Sequence, residues 1–182
     1  MPAQIIIISG SPGTGKTSVS RMLAEKSLHK RAVHIQADDY WQSISKGYIH
    51  PWLSDSGKQN ETVLKAVAAS AKTFAKGGYE VFVDGVIGPW FIKPWVKLAK
   101  KGIDVRYIIL RADEATTVLR ATTRQQRESF PLNSEIIKNL WASFCDLGSY
   151  ESHVLDTTGQ SVEESAAAVQ CMLLGDKTYV LK

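Results

Sequence analysis

Cysteine is scarce: of 182 residues only Cys145 and Cys171 are cysteines, and neither belongs to a CxxC pair or stands near other metal ligands. That excludes a disulfide framework and a cysteine-built zinc site, and both thiols are expected to be buried structural groups in helical stretches. Long apolar runs are missing as well. No segment approaches the roughly 20 apolar residues that a membrane span requires. The opening Met-Pro-Ala-Gln carries no basic region, and the isoleucine run after it stops after four residues, which is not the pattern of a secretory signal. The expectation is a cytoplasmic protein without a membrane partner. Low-complexity tracts, internal repeats and linkers are absent too, so one domain over residues 1–182 is expected, of open oligomeric state. Neither sign of charge dominates. The formal net charge of +4 gives no support to a nucleic-acid partner and is of the size that a bound polyphosphate neutralises.

What is present is an alternation of strand and helix signals. Residues 4–8 form a β-branched apolar run without polar alternation, which suits a central parallel strand buried on both faces. A helix follows from Lys16, with Val19, Met22 and Leu23 at helical spacing, and a second strand over 32–36 ends at Ala37-Asp38-Asp39. After a polar and aromatic segment to about residue 58, Val63, Leu64, Val67, Ala68, Ala71, Phe74 and Ala75 make one helical stripe that Gly77-Gly78 ends. Residues 79–83 read as strand three, closed by Asp84-Gly85; a helix over about 90–101 and strand four over 105–110 come next. Asp113 can cap the following helix, which Pro131 breaks. Ile136, Ile137, Leu140, Trp141 and Phe144 mark another helix with Gly148 as its stop, and 153–156 form the last strand. Ser161-Val162-Glu163-Glu164 has capping-box spacing for a final helix. Five strands alternating with helices predict the α/β class: a five-stranded parallel sheet with right-handed crossovers, covered on both sides as three α/β/α layers.

The segment Gly10-Ser11-Pro12-Gly13-Thr14-Gly15-Lys16-Thr17 satisfies GxxxxGK[ST], with a hydrophobic strand directly before it and a helix directly after. Its glycines permit backbone angles that turn successive N–H groups inward, and the helix N-terminus adds partial positive charge where phosphate sits. The pattern predicts a cradle for ATP and Mg²⁺ formed by these eight residues and Ser18. Lys16 is expected on the β- and γ-phosphates and the Thr17 hydroxyl on the metal. No NKxD-type guanine motif is present, which favours ATP over GTP.

In open parallel sheets ligands bind beyond the carboxyl ends of the strands. Asp38, Asp39 and Asp84 stand there. Phosphoryl transfer to a hydroxyl calls for one carboxylate at the acceptor and another on the metal side. Asp38 is assigned as the base, and Asp39 and Asp84 as metal-side or acceptor-orienting groups. Arg120, Arg124 and Arg127, spaced by four and three, fall on one helical face and suit a lid over about 114–131 that closes on the phosphates. Trp41, Trp52, Trp90 and Trp95, with Tyr40, Tyr48 and Phe91, cluster in about 38–60 and 84–95, the acceptor side. Aromatic walls there suit a ring-bearing small molecule that His50 helps orient.

With these pieces placed, the chain resembles the nucleoside-monophosphate-kinase-like group of small P-loop phosphotransferases, which includes shikimate kinase, gluconate kinase and chloramphenicol phosphotransferase. Strand two ending in ADDYW and the late VLDTTGQSVEES are similar to the chloramphenicol phosphotransferase branch, and DDYWQSISKGYIHPWL resembles an uncharacterised bacterial group of ATP-binding, phosphotransferase-like proteins. The resemblance implies an ATP-dependent kinase that moves the γ-phosphate to a hydroxyl of a small molecule, with Asp38 as base, Arg120 beside the adenine, and Arg124 and Arg127 on the lid. The glycine run of shikimate kinase after strand three has no counterpart in Asp84-Gly85-Val86-Ile87-Gly88-Pro89-Trp90. Polynucleotide kinases and zeta toxins share the P-loop and the strand-two Asp, so a kinase acting on a nucleotide, nucleotide sugar or nucleic-acid end is the alternative. A nucleotide-dependent regulatory module is a third reading.

Overall fold

A computed structural model describes residues 4–125, 132–175 and 180–181. Its elements follow in the order β1 (Gln4–Ser9), α1 (Lys16–Glu25), β2 (Ala32–Gln36), α2 (Asp38–Gln42), α3 (Gly57–Lys76), β3 (Glu80–Gly85), α4 (Lys93–Ala99), β4 (Asp104–Arg111), α5 (Glu114–Gln125), α6 (Ser134–Ala142), β5 (Val154–Asp156) and α7 (Val162–Leu174). The strands form one parallel sheet in the order β2-β3-β1-β4-β5. The expected α/β/α sandwich is the observed one.

The isoleucine run places β1 at the centre. Ile5, Ile6, Ile7 and Ile8 are all fully buried, and the strand's two-residue period divides them between two cores. Ile5 and Ile7 join Leu64, Val67, Val83, Trp95 and Tyr107 on the α3 and α4 side, whereas Ile6 and Ile8 join Val19, Leu23, Phe82 and Val169 on the α1 and α7 side. Burying each such side chain contributes about 1.5–3 kcal/mol, and this one strand supplies that contribution to both cores.

Strand β3 fastens α1. Glu80, Phe82 and Asp84 alternate onto the face that α1 covers, and the two acids grip its two ends. Beyond the C-terminus of α1, the Ser27 hydroxyl donates to Glu80 Oε2 at 2.5 Å, while Gln4 Nε2 donates to Glu80 Oε1 at 2.6 Å. At the N-terminus of α1, the Thr17 hydroxyl donates to Asp84 Oδ2 at 2.6 Å. The last helix starts as its spacing predicts, with reciprocal bonds between Ser161 and Glu164.

Several expectations change. Asp38 and Asp39, expected at the end of strand two, open the short helix α2, and α3 starts at Gly57, after a 3₁₀ turn at Ser54–Ser56. A buried polar knot explains that start: Asn60 Nδ2 donates to Pro51 O and Ser56 Oγ, and Trp41 Nε1 donates to Asn60 Oδ1. Phe74 leaves the apolar stripe of α3; it is exposed and meets Tyr79 edge-on. The helix expected from about residue 90 is divided, because Pro89–Phe91 form a 3₁₀ turn before α4. Gly148 ends no helix: α6 stops at Ala142 and Gly148 opens a 3₁₀ stretch. Cys145 and Cys171 are exposed rather than buried, since both sit on the outer faces of their segments.

Replacing Glu80 by Ala strips two polar side chains of a buried acceptor. The loss is expected to be about 1–3 kcal/mol, read as a lower urea midpoint with an unchanged slope.

Candidate active site at the strand ends

The phosphate loop owes its glycines to two different constraints. Gly10, Gly13 and Gly15 have φ of 148°, 89° and 86°, in the region that favours glycine. Gly10 and Gly13 are also places of close approach. A Cβ at Gly10 would stand 2.3 Å from the Leu110 carbonyl oxygen, and one at Gly13 would stand 2.4 Å from that of Thr117. The loop therefore packs directly on the end of β4 and the first turns of α5. Inside it, the Thr14 hydroxyl donates to Ser11 O at 2.9 Å and Lys16 Nζ donates to the same oxygen at 3.3 Å. Ser11, Thr14 and Lys16 are buried, and Lys16 and Thr17 begin α1, whose first N–H groups lack intrahelical acceptors.

Of the three candidate carboxylates, Asp84 is built into this loop. It is fully buried, with Thr17 donating to one oxygen and His34 Nε2 standing 2.5 Å from the other. Asp38 is half-buried at the start of α2, and Asp39 beside it is exposed. The Ala37 N–H donates to Asp84 O at 2.8 Å, which extends the β2–β3 pairing to the residue before Asp38. Burial, and secondarily the negative charge of Asp38, push the Tyr48 phenol above its ordinary range, so that charge acts on a hydroxyl of the aromatic segment. His34 was not among the candidates. In the fold it lies two residues from Gln36, the register partner of Asp84, on the same sheet face, a relation that the sequence alone does not signal.

Helix α5 meets the loop after β5. Arg120 Nη2 donates to Gln160 O at 3.1 Å, and the Asp113 N–H donates to the Thr158 hydroxyl at 2.9 Å. Asp113 also caps α5 as expected, accepting from the Thr116 N–H. Arg124 lies one turn beyond Arg120 on α5, and Arg127 lies outside the described residues.

The aromatic residues do not act as one group. Trp41 and Trp95 are buried in the core, which removes them from the expected acceptor wall. Trp90 is 48% exposed and covers Gly88 so closely that a Cβ there would fall 2.3 Å from its ring; its edge meets Phe144. His50 stacks on Trp52 with centroids 4.7 Å apart and meets the Tyr48 ring edge-on at 5.3 Å. Between these aromatics and the sheet, Ile87 is tied down: its carbonyl accepts from the Ser9 and Tyr107 hydroxyls at 2.8 and 2.6 Å, and its N–H donates to Ser9 Oγ. Burial pushes the Tyr107 phenol far up, which keeps it a donor.

Lys16→Ala is expected to remove most triphosphate affinity and leave the fold intact, because the phosphate loop is held by its backbone and by Thr14. Calorimetry with ATP, alongside a thermal melt, checks both halves.

Comparison with known proteins agrees with this architecture. Residues 2–138 match the family model described as zeta toxin. The cytidylate kinase of Archaeoglobus fulgidus is 29% identical over 130 residues, covering 68% of this chain and 70% of that protein. The APS kinase of Mycobacterium tuberculosis, in complex with AMPPNP and APS, superposes with a TM-score of 0.67 at 18% identity, covering 96% of this chain and 99% of that one. A gluconokinase from Sinorhizobium meliloti gives 0.62 at 17% identity, covering 95% of each chain. At such identities the two structures show a shared fold, that of P-loop kinases, as the resemblance in the sequence implied. The family match extends from ahead of β1 through the phosphate loop into α6, and by it the chain belongs to the zeta toxin family.

Proposed function

We propose that this chain is an ATP-dependent phosphotransferase that moves the γ-phosphate to a hydroxyl of a small molecule. The observation that carries the reading is the separation of two acids at neighbouring strand ends. Asp84 is bonded to the P-loop Thr17, whereas Asp38 stands one strand over, near the aromatic segment.

The residues fit ATP and Mg²⁺. Backbone turned by glycines, a buried Lys16 and the N-terminus of α1 favour polyphosphate, and Thr17 with Asp84 supplies hard oxygen atoms suited to Mg²⁺. Among the described residues no group of three or more His, Cys, Asp or Glu could enclose a metal. That favours an ion held by Thr17, Asp84, water and the nucleotide's own oxygens, with Asp39 left on the surface. When bound, Mg²⁺ offsets negative charge on the phosphates. Asp38 accepts the acceptor's hydroxyl proton as that oxygen bonds to the γ-phosphorus and the bond from the phosphorus to the β–γ bridging oxygen breaks, releasing ADP. Lys16, Arg124 and Arg127 stabilise the charge on the moving phosphoryl group, and Arg120, tied to the Gln160 carbonyl, borders the base of the nucleotide.

A second reading makes the acceptor itself nucleotide-like: a nucleotide, a nucleotide sugar or a nucleic-acid end. Family membership supports it, as do relatives named for cytidylate and APS. The His50–Trp52 stack is a surface on which a flat ring could lie. A screen with γ-labelled ATP against hydroxyl-bearing metabolites, nucleotides, nucleotide sugars and oligonucleotides separates the two readings. Label appearing on none of them, with ATP bound, would leave a regulatory module.

Asp38→Asn retains shape but not basicity. Transfer to the acceptor is expected to fall on the order of 10² to 10⁴-fold while ATP·Mg²⁺ affinity is nearly constant; wild-type turnover would overturn the assignment. Arg124→Ala and Arg127→Ala should each lower turnover by at least about tenfold, and full activity in both would remove the lid from the mechanism.

A further inference from the structure

Strand β2 sets His34 between Ala32 and Gln36 on the face that α1 covers, where Glu80 and Asp84 of β3 also lie. His34 pairs in register with Phe82 and shares its sheet face with Ala32, part of the core beneath α1. Its side chain is 16% exposed, and its Nε2 stands 2.5 Å from Asp84 Oδ1. The other carboxylate oxygen accepts from Thr17. A carboxylate accepts at both oxygens, so Nε2 is the protonated nitrogen and His34 donates. Asp84 thus has one donor from β2 and one from α1, and both of its oxygens are satisfied although it is fully buried.

These two bonds do different things. Thr17 belongs to the phosphate loop, and its hydroxyl can turn an oxygen lone pair to a metal while its hydrogen stays on Asp84, so the surroundings of this bond change when nucleotide arrives. His34 lies in the sheet, remote from the phosphates in sequence and on a strand that does not carry the loop. Its bond is the fixed reference for the carboxylate plane. Removing it would leave Oδ1 buried without its donor and let the carboxylate turn about its own axis.

We propose that His34 is a positioning residue that holds the Asp84 carboxylate in the orientation in which Asp84 and Thr17 together present oxygens to nucleotide-bound Mg²⁺. It acts through Asp84 and touches neither nucleotide nor acceptor. The proposal rests on the ATP·Mg²⁺ reading above but not on the identity of the acceptor. Removing a partner that orients a metal-binding group commonly weakens metal affinity by about 10 to 100-fold.

The test uses the full chain and AMPPNP, a nucleotide that is not turned over. Binding is measured by calorimetry in EDTA and across a Mg²⁺ titration, for the wild type and for His34→Leu, His34→Gln and His34→Asn, each with a thermal melt. His34→Leu is expected to keep its metal-free AMPPNP affinity within about twofold while the Mg²⁺ concentration for half-maximal enhancement rises at least about tenfold. His34→Gln, whose amide nitrogen lies about as far along the side chain as Nε2, should recover most of the loss, and the shorter His34→Asn should not. Unchanged Mg²⁺ dependence in His34→Leu overturns the positioning role alone. So does an equal loss of metal-free and metal-supported binding, which marks general damage. If His34→Leu does not fold, the Gln and Asn variants decide, and equal Mg²⁺ dependence in those two overturns the role. A wild type without any Mg²⁺ enhancement sinks both this proposal and the ATP·Mg²⁺ reading.

Discussion

The fully buried carboxylate of Asp84 is the constraint on which the nucleotide side of this molecule depends. A buried charge is tolerated when its lone pairs are satisfied, and removing one partner of such a group is far more damaging than its net contribution suggests. Here the partners come from different elements: Thr17 from the start of α1 and His34 from β2. The same residue lends its backbone carbonyl to Ala37, the last position before Asp38. One residue therefore sets the phosphate loop, the strand beside it and the start of α2 in a common frame. Glu80, at the other end of the same strand, repeats the device against Ser27 and Gln4. Helix α1 is clamped at both ends by acids four residues apart on β3, so its N-terminus is aimed by the sheet.

Contacts across the other side of the loop complete this frame. Because Gly10 and Gly13 have no side chains, the loop backbone rests on the ends of β4 and α5 at distances no Cβ would permit. Helix α5 is in turn joined through Arg120 to the loop after β5. The phosphate loop, the first turns of α5 and the loop after β5 are thus coupled through short contacts.

How much of this was legible in the sequence depended on the range of the interaction. Signals carried by a few adjacent residues were read well: the isoleucine run of β1, the phosphate loop, the Asp113 cap and the Ser161 capping box. The parallel five-stranded sheet followed from the alternation of strands and helices, whereas the strand order came only with the fold. Effects that need three-dimensional neighbours were not legible. Trp41 and Trp95 look like pocket aromatics by their positions, but Asn60 and the α3–α4 core claim them. Asp39 and Asp84 looked equivalent as strand-end acids; only the fold sets one facing α1 and the other outward. His34 was missed because its partner lies 50 residues away, across a strand pair whose register no local pattern reveals.

The fastening of Ile87 has a bearing on how such a protein diversifies. Its backbone is held from both sides by hydroxyls of β1 and β4, so the segment leading to Trp90 keeps its course whatever its neighbouring side chains are. Side chains along that segment can be exchanged one at a time without rebuilding the loop that bears them. The chemistry at the neighbouring strands is insulated from those exchanges. Ser9 and Tyr107 are in this sense a socket for the start of the segment between β3 and α4.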